Sequence, residues 1–438
     1  MTVEHVSDDI KDLLEGMREG VPDGRVPARI FNDQEIFDLE IDRVFGKVWS
    51  FLAHETEIPK PGDYVTRYIA DNNIIVARDE KGEVHASLNM CRHRGNMMCK
   101  SEMGNASHFR CSYHGWVYKN SGELIGVPYF SEAYEKKLDR KDFGLLKIRT
   151  ESYGGLIFGT LNSDSPTLEE YLGGFQFYLD IYLKQSVNGS EVYGPPDRWV
   201  AKTDWKICAE NFAGDGYHTP VAHQFGFHLG YFPSSGATHS MGWAVHIPEK
   251  GHGIGLGHTP GMPPFFGYPD ELVDGMKHSL SPEQLELFSK TRTAVGTVFP
   301  NLSFLIQPLS LVAGESGVRF CTMRLYHPTG PGQMEMWSWC LVPKDASDEY
   351  KSAAYQAYTL AFGQAGTFEQ DDFENWTKVT KASGTTLAKG IEFPYIQGLA
   401  REAIEDFPGP GFAVEPYVTE NNFRNLWSTW SKYMRNGE

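Results

Sequence analysis

The sequence lacks any long apolar run, and no stretch approaches the about 18 to 20 apolar residues that a membrane-spanning helix requires. Basic residues are also in deficit, because 40 Lys and Arg face 57 Asp and Glu, which leaves a formal charge of −17. This balance argues against a nucleic-acid partner, since a phosphate-binding surface needs clustered cations. The N-terminus, MTVEHVSDDIKDLLEG, shows no signal-peptide pattern. We therefore expect a cytoplasmic protein.

Cysteine is scarce, with six in a chain of 438 residues. In a reducing cytoplasm these thiols are expected to be free, so metal-binding or core roles are favoured over disulfides. A chain of this length exceeds one ordinary hydrophobic core and predicts about two domains. No G-x-G-x-x-G dinucleotide fingerprint is present.

Two short stretches, CRHRGNMMCK from Cys91 and CSYHGW from Cys111, each combine one cysteine with one histidine. The full spacing is C-x-H-x17-C-x2-H, whereas zinc fingers usually pair like with like. In a Rieske [2Fe–2S] centre two histidines replace two thiolates on one iron, so mixed pairs are expected if each loop serves both irons. A zinc knuckle remains the alternative from spacing alone.

The neighbours of these ligands favour the iron–sulfur centre. Gly95 and Gly115 allow tight turns that direct backbone N–H groups at sulfide. Arg94 offers charge-compensating hydrogen bonds, and Trp116 offers a shield against water. Cys99 lies outside the pattern and is predicted to be a buried thiol.

A second group of candidate ligands lies in ENFAGDGYHTPVAH, residues 210–223. His218 and His223 are five residues apart, which on a regular helix turns their side chains roughly 140° from each other. They converge only if the helix is irregular, and Pro220 between them is a candidate cause. Alone, such a pair is equally typical of a polar surface.

A carboxylate that completes the set is expected in GTFEQDDFENW, residues 366–376. Two histidines and one carboxylate leave iron positions open for O2 and substrate, as in non-haem Fe(II) oxygenases. The alternative is a solvated acidic face, since four acidic residues fall within about two helical turns. The apolar frame of Phe362, Phe368, Phe373 and Trp376 favours burial, and Asp372 lies one turn beyond Phe368.

Together these motifs resemble the large catalytic α subunit of Rieske-type aromatic-ring-hydroxylating dioxygenases, of the naphthalene and biphenyl dioxygenase group. The resemblance covers essentially the whole chain. It implies that the cluster is held by Cys91, His93, Cys111 and His114, and the mononuclear Fe(II) by His218, His223 and Asp372. The choice of Asp372 over Asp371 follows the family's use of the second aspartate. Asp215 matches the family's bridging aspartate, and Asn211 the asparagine at the edge of the site.

The expected fold is α+β: a small all-β Rieske domain and a larger catalytic domain with an antiparallel sheet surrounded by helices. Residues 1–46 are predicted to be a helical part of the catalytic domain, 47–164 the Rieske domain and 165–438 the catalytic domain. A long helix is predicted from Asp345, with an interruption at Gly363 and Gly366. Residues 251–269, rich in Gly and Pro, are predicted to lack regular structure, either as a mobile lid or as an ordered loop.

The resemblance also implies the reaction and its partners. Both atoms of O2 would be added to adjacent ring carbons to give a cis-dihydrodiol, with electrons from NAD(P)H through a ferredoxin and a reductase. Asp215 would bridge His218 to His114 of an adjacent chain in a trimer, either α3 or, with a small β subunit, α3β3. The substrate pocket is predicted to be lined by Phe212, Phe227, Phe362 and Phe368.

Several readings stay open from the sequence. The substrate is an aromatic, possibly polycyclic, hydrocarbon or an aromatic acid such as phthalate. Arg and Lys are absent between His218 and His246, which disfavours an acid, whereas Arg292 and Arg324 keep it open. A Rieske monooxygenase or demethylase would share every ligand. A Rieske electron carrier would need only the first motif, and a zinc-stabilised binding protein would contain no iron.

Overall fold

The computed structural model describes residues 6–135, 137–232 and 241–436. The chain divides into two compact units, a small unit of Phe45–Leu168 and a large unit of Met1–Val44 with Glu169–Glu438. Within the described residues, no helix is both long enough and apolar enough to cross a membrane. The six cysteines are all buried and free, as expected for reduced thiols.

The helices of the chain have the following bounds: α1 (Asp8–Gly20), α2 (Gln34–Glu40), α3 (Leu168–Leu172), α4 (Gln176–Leu183), α5 (Trp205–Phe212), α6 (Thr219–Ala222), α7 (Gln224–His228), α8 (Asp270–Ser279), α9 (Pro282–Lys290), α10 (Asp348–Phe362), α11 (Thr367–Ser383) and α12 (Asn421–Asn436). The predicted helical segment near the N-terminus is present as α1 and α2, although its first five residues lie outside the described residues. Asp33 caps α2 by accepting hydrogen bonds from two backbone N–H groups.

Strand β1 (Arg25–Pro27) precedes the small unit, which is built entirely around β-sheets. Its strands are β2 (Ser50–His54), β3 (Asp63–Ile69), β4 (Asn72–Arg78), β5 (Val84–Leu88), β6 (Met103–Asn105), β7 (His108–Arg110), β8 (Val117–Lys119), β9 (Leu124–Gly126), β10 (Lys147–Tyr153) and β11 (Leu156–Thr160). Seven of them form an antiparallel sheet in the order β2-β11-β10-β5-β4-β3-β6, and β7-β8-β9 form a second sheet. Leu52, Val65, Ile74 and Ile157 belong to the core of the larger sheet.

The large unit is organised around a nine-stranded antiparallel sheet. Its strands are β12 (Ser190–Val192), β13 (Asp197–Ala201), β14 (Gly242–His246), β15 (Gly253–His258), β16 (Thr291–Val298), β17 (Leu302–Leu309), β18 (Val318–Gly330), β19 (Gln333–Pro343), β20 (Glu392–Pro394) and β21 (Phe412–Val414). The order is β12-β19-β18-β17-β16-β15-β14-β21, with β13 also paired to β19, while β20 pairs with β1 in a separate ribbon. Every residue of β16 and β17 is buried, because other elements cover both faces of the sheet centre. The predicted α+β fold class is confirmed.

The predicted interruption after Asp345 is confirmed, because α10 ends at Phe362 and α11 begins at Thr367. The prediction that residues 251–269 lack regular structure is wrong for its first part, which forms β15. Glycines alternate with buried Ile254 and Leu256 in this strand. A Cβ on Gly255 would lie 2.1 Å from the Tyr417 ring, so this glycine serves close packing.

Candidate metal centres

The two Cys/His loops of the small unit differ in their connections. The loop from Cys111 is the tip of the β7–β8 hairpin. The loop from Cys91 joins β5 to β6, which are separated in the sheet by β4 and β3. Patterns of short strands and turns in the sequence predict both loops near the tips of neighbouring hairpins, and the structure agrees only for the second loop. A bridge between Met90 and Met97 closes the first loop instead.

Both loops nevertheless use the same turn. The Gly95 N–H donates to the Cys91 carbonyl at 2.9 Å, and the Gly115 N–H donates to the Cys111 carbonyl at 3.0 Å. Both glycines adopt positive φ, 72° and 74°, which side chains disfavour. The N–H of each cysteine closes the turn on the carbonyl five residues later. The repeated turn presents one thiol and one imidazole from each loop.

The two thiols belong to one buried cluster, and the two half-buried imidazoles lie against each other. Cys91 and Cys111 are buried, and the ring centroids of His93 and His114 are 4.6 Å apart. The buried Nδ1 atom of His93 has no hydrogen-bond partner in the described protein. A buried unpaired nitrogen is costly unless a ligand uses its lone pair, so the donor set fits a metal cluster. Trp116 is buried and stacks on the His93 ring at 4.9 Å, which shields this side from water.

Two side chains that sequence reasoning missed contact the thiols. The Tyr118 hydroxyl lies 3.5 Å from Cys91 Sγ, and the Asn96 amide nitrogen lies 3.6 Å from Cys111 Sγ. Burial alone raises the pKa of Cys111, but backbone N–H groups of Tyr113 and His114, with Asn96, lower it overall. These contacts favour the thiolate. The only indication of Tyr118 in the sequence is its position two residues after Trp116, and the structure places it on β8.

The other predicted neighbours are also placed. Arg94 is exposed, and its role as a hydrogen-bond donor to the cluster stays a prediction. Cys99 is buried against Ile75 and Phe109, and burial raises the pKa of its thiol to about 12. Cys99 is thus a core thiol, as predicted.

In the large unit, a helix break brings His218 and His223 together. His218 immediately precedes the short helix α6, and His223 follows it with φ −106° and ψ 28°, outside helical geometry. The irregularity predicted at Pro220 therefore lies at His223. Pro220 itself lies in the first turn of α6, where its missing N–H is tolerated. The two imidazole centroids are 5.2 Å apart.

Asp372, from the middle of α11, faces both imidazoles. Its Oδ1 lies 3.4 Å from Nε2 of His218 and 3.3 Å from Nε2 of His223. The opposite nitrogens each meet another carboxylate: Asp215 Oδ2 is 3.2 Å from Nδ1 of His218, and Asp371 Oδ2 is 3.3 Å from Nδ1 of His223. The structure thus brings His218, His223 and Asp372 together, with Asp371 behind the set. Carboxylates behind ligating histidines are typical of metal sites.

The electrostatics of this group favour a bound cation. Burial raises the pKa of Asp372, but the charge of His223 and hydrogen bonds from both imidazoles lower it well below its usual value. Burial lowers the pKa of His218, whereas the Asp215 charge raises it well above its usual value. The Asp215 carboxylate thus holds a proton on the His218 imidazole. A divalent metal that replaced these protons would meet two neutral nitrogens and a carboxylate, which suits iron.

Asn211 lies at the edge of the group. Its amide nitrogen is 3.4 Å from Asp215 Oδ2 and 3.4 Å from His218 Nδ1. Asp215 is held in place because its Oδ1 accepts hydrogen bonds from the backbone N–H groups of Tyr217 and His218. The short loop after α5 therefore orients Asp215 before any ligand binds.

The acidic segment of α11 is not one solvated face. Glu369 is buried and paired with Arg324, which is itself fully buried. Burial raises the pKa of Glu369 to about 7 although the Arg324 charge opposes this. Glu374 is exposed and pairs with Lys378, so only this residue fits the surface alternative.

A narrow cavity adjoins the three converging residues, with a volume of about 40 Å³. Of the four phenylalanines that the sequence analysis assigns to the substrate pocket, Phe212, Phe362 and Phe368 line this cavity and Phe227 does not. Phe232 lines the wall instead, and Phe227 packs on Phe232 with centroids 4.6 Å apart. Sequence reasoning also missed Thr293, Val295, Leu305, Gln307 and Tyr417. They come from buried strands and a distant loop, which carry no local signal of a site.

Comparison with known protein families gives two matches that together span most of the chain. Residues 48–146 match the Rieske [2Fe–2S] domain, and residues 169–391 match the catalytic domain of the ring-hydroxylating α subunit. The chain thus combines a cluster domain with a catalytic domain that uses mononuclear iron, and an electron carrier with only the first domain is excluded.

Individual relatives agree with this assignment. The chain is 37% identical to the α subunit of an N,N-dimethyl phenylurea N-demethylase from Sphingobium sp. (strain YBL2), over 99% of this chain and 97% of the relative. It is 33% identical to the chlorobenzene dioxygenase α subunit of Cupriavidus sp. (strain PS12), over 95% and 92%. Naphthalene 1,2-dioxygenase from Rhodococcus sp., solved with bound indole, superposes with a TM-score of 0.95 at 44% identity, over 98% and 99%.

Proposed function

The chain belongs to the family of ring-hydroxylating oxygenase α subunits, and from this premise we propose its ligand sets. Cys91, His93, Cys111 and His114 hold the Rieske [2Fe–2S] cluster. The mononuclear iron is held by His218, His223 and Asp372. The observation that carries the second set is the approach of both Nε2 atoms to Asp372 Oδ1, at 3.4 and 3.3 Å.

We propose that the enzyme dihydroxylates an aromatic ring. Ferrous iron, when bound, supplies activation of O2, from which both oxygen atoms are added to adjacent ring carbons to give a cis-dihydrodiol. The protein orients the two histidines through Asp215 and Asp371, which accept hydrogen bonds from the Nδ1 atoms. The phenylalanine wall excludes water and receives the apolar ring.

The wall disfavours a carboxylated substrate. Among the described residues, no Arg or Lys lines the cavity. Arg324 is paired with Glu369, Arg292 Nε donates to Thr293 at 3.2 Å, and neither of these two arginines, which left an aromatic acid open, belongs to the cavity lining. A neutral aromatic compound is therefore the substrate class that the site supports best.

We propose that a neighbouring chain completes the electron path. An open cavity of about 420 Å³ reaches Asp215 and His218, and its lining includes Tyr217 and Glu420. Tyr217 is 64% exposed there, and in the small unit Tyr113, beside His114, is 63% exposed. These surfaces suit a docked neighbour in which His114 contacts Asp215, within an α3 or α3β3 assembly. A cytoplasmic ferredoxin and NAD(P)H-dependent reductase supply the electrons.

A second candidate reaction is oxidative N-demethylation, which the same ligand set supports. The observation that favours it is the 37% identity to a phenylurea N-demethylase α subunit. Product analysis separates the two reactions, because a dihydrodiol retains both oxygen atoms whereas demethylation releases formaldehyde.

The test uses the purified oxygenase with a compatible ferredoxin and reductase. We expect dihydrodiols from mono- and bicyclic hydrocarbons and negligible turnover of phthalate. Metal analysis should give about three irons per chain. Zinc alone, or about two irons with no turnover of any aromatic compound, would contradict the proposal.

A further inference from the structure

Gln307 places one amide in an otherwise mainly apolar part of the cavity wall. It lies on β17, two residues after Leu305, so both side chains face the same side of the sheet. Both line the cavity beside the converging ligands, together with Val295 and Thr293 of the neighbouring strand. Gln307 is 93% buried, since its exposed fraction is 7%. A buried amide in this position requires a partner.

The structure provides no such partner within the described residues. The Gln307 amide nitrogen is buried and has no hydrogen-bond acceptor. Among the polar residues of the lining, Thr293 Oγ1 accepts from Arg292, and Asn211 contacts Asp215 and His218. An unpaired buried donor is unfavourable, and a ligand atom that accepts its hydrogen bond removes that cost.

We propose that Gln307 is a specificity-determining residue that donates a hydrogen bond to a neutral acceptor on the aromatic substrate. The acceptor is a carbonyl, ether or ring nitrogen rather than a carboxylate, because no cation lines the described wall. This inference rests on the proposed oxygenase function and narrows its substrate class. It distinguishes ring compounds with one polar substituent from bare hydrocarbons of the same shape.

The test compares acetophenone with α-methylstyrene, in which a methylene group replaces the carbonyl oxygen of acetophenone. Both compounds compete for the complete wild-type system, and their consumption gives the ratio of kcat/KM values. We expect the kcat/KM ratio of acetophenone to α-methylstyrene to be about tenfold higher in the wild type than in Gln307→Met, in which a thioether of similar length replaces the amide. Leu305→Met is the matched control, since it changes the same wall without changing an amide. Its ratio should stay near that of the wild type.

If neither compound is oxidised, calorimetry measures the affinity of both compounds for the same three proteins, and the ratio of affinities replaces the kinetic ratio. The iron content and cluster spectrum of each variant verify that both centres are intact. A preference that is equal in wild type and Gln307→Met, or that Leu305→Met changes as much, overturns the role of Gln307. If the role of Gln307 is overturned while the mononuclear iron is present and hydrocarbons are turned over, only this inference fails. If the mononuclear iron is absent, the proposed function fails with it.

Discussion

His218 Nδ1 lies 3.2 Å from Asp215 Oδ2, at the point where an open cavity reaches His218 and Asp372, two of the three converging residues. Asp215 is fixed by the backbone N–H groups of Tyr217 and His218, so its orientation does not depend on the His218 imidazole. The other histidine has a corresponding carboxylate in Asp371, which lies outside that cavity lining. Asp215 therefore both contacts the His218 imidazole and is accessible through the open cavity. This combination suits electron entry from a neighbouring chain.

Asp215→Ala is expected to retain both metals but to lose turnover by about 100-fold or more, because His218 loses its partner and the path to the neighbour is cut. Iron analysis, the EPR signal of the reduced cluster and steady-state product formation measure the outcome. Asp371→Ala is the matched control and should retain electron transfer from cluster to iron. Normal turnover by Asp215→Ala would contradict the bridging role.

Asp372→Ala is expected to lower the iron content from about three to about two per chain, because two imidazoles alone bind ferrous iron weakly. The visible spectrum of the cluster should not change, since its ligands lie in the small unit. Glu374→Ala, on the same helix but exposed, is the control and should keep its iron. Full iron occupancy in Asp372→Ala would show that the ligand set is misassigned.

Tyr118→Phe is expected to lower the reduction potential of the cluster. The Tyr118 hydroxyl accepts from the Arg92 N–H at 3.1 Å and is left to donate to Cys91 Sγ. A donor to the thiolate stabilises the more negative, reduced cluster, so its removal favours the oxidised form. Redox titration followed by EPR measures the shift. Tyr64→Phe, in the same unit but against Phe109, should leave the potential unchanged, and an equal shift in both variants would argue against the contact.

Glu210 is expected to make stability fall as the pH rises. Burial raises the pKa of Glu210 to about 8 in the folded protein, although hydrogen bonds from Tyr395 and Trp427 oppose the shift. The folded state therefore binds the proton more tightly than the unfolded state. Its contribution is complete below pH about 4.5, the pKa of an unperturbed glutamate, and is lost as the pH rises through about 8.

Glu210→Gln removes this titration, so its Tm relative to wild type should increase between pH 6 and pH 8.5. The difference corresponds to about 2 kcal/mol over this range. Thermal unfolding of the purified chain at several pH values measures it. Glu169→Gln alters an exposed carboxylate and should follow the wild type throughout. A constant difference between Glu210→Gln and wild type would show that Glu210 does not titrate in this range.

The sequence alone indicated both motifs, the order of the domains and the α+β class. These features depend on local spacing: one thiol and one imidazole per loop, turns that need glycine, and apolar periodicity. The same local rules failed at residues 253–258, because glycines that usually break strands here make room for Tyr417 in a paired strand. Propensity was overridden by packing that no local pattern reveals.

Tertiary structure alone decided how the site is assembled. The break at His223, the separate contacts of Asp371 and Asp372, and the substitution of Phe232 for Phe227 in the wall depend on how α6, α7 and α11 pack. The position of Gln307 in the cavity wall likewise depends on how β17 packs beside the three converging residues. Spacing along the chain sets which side chains share a turn or a face. Contacts between distant elements are set by the packing of the whole core, and the surroundings of the iron are made of such contacts.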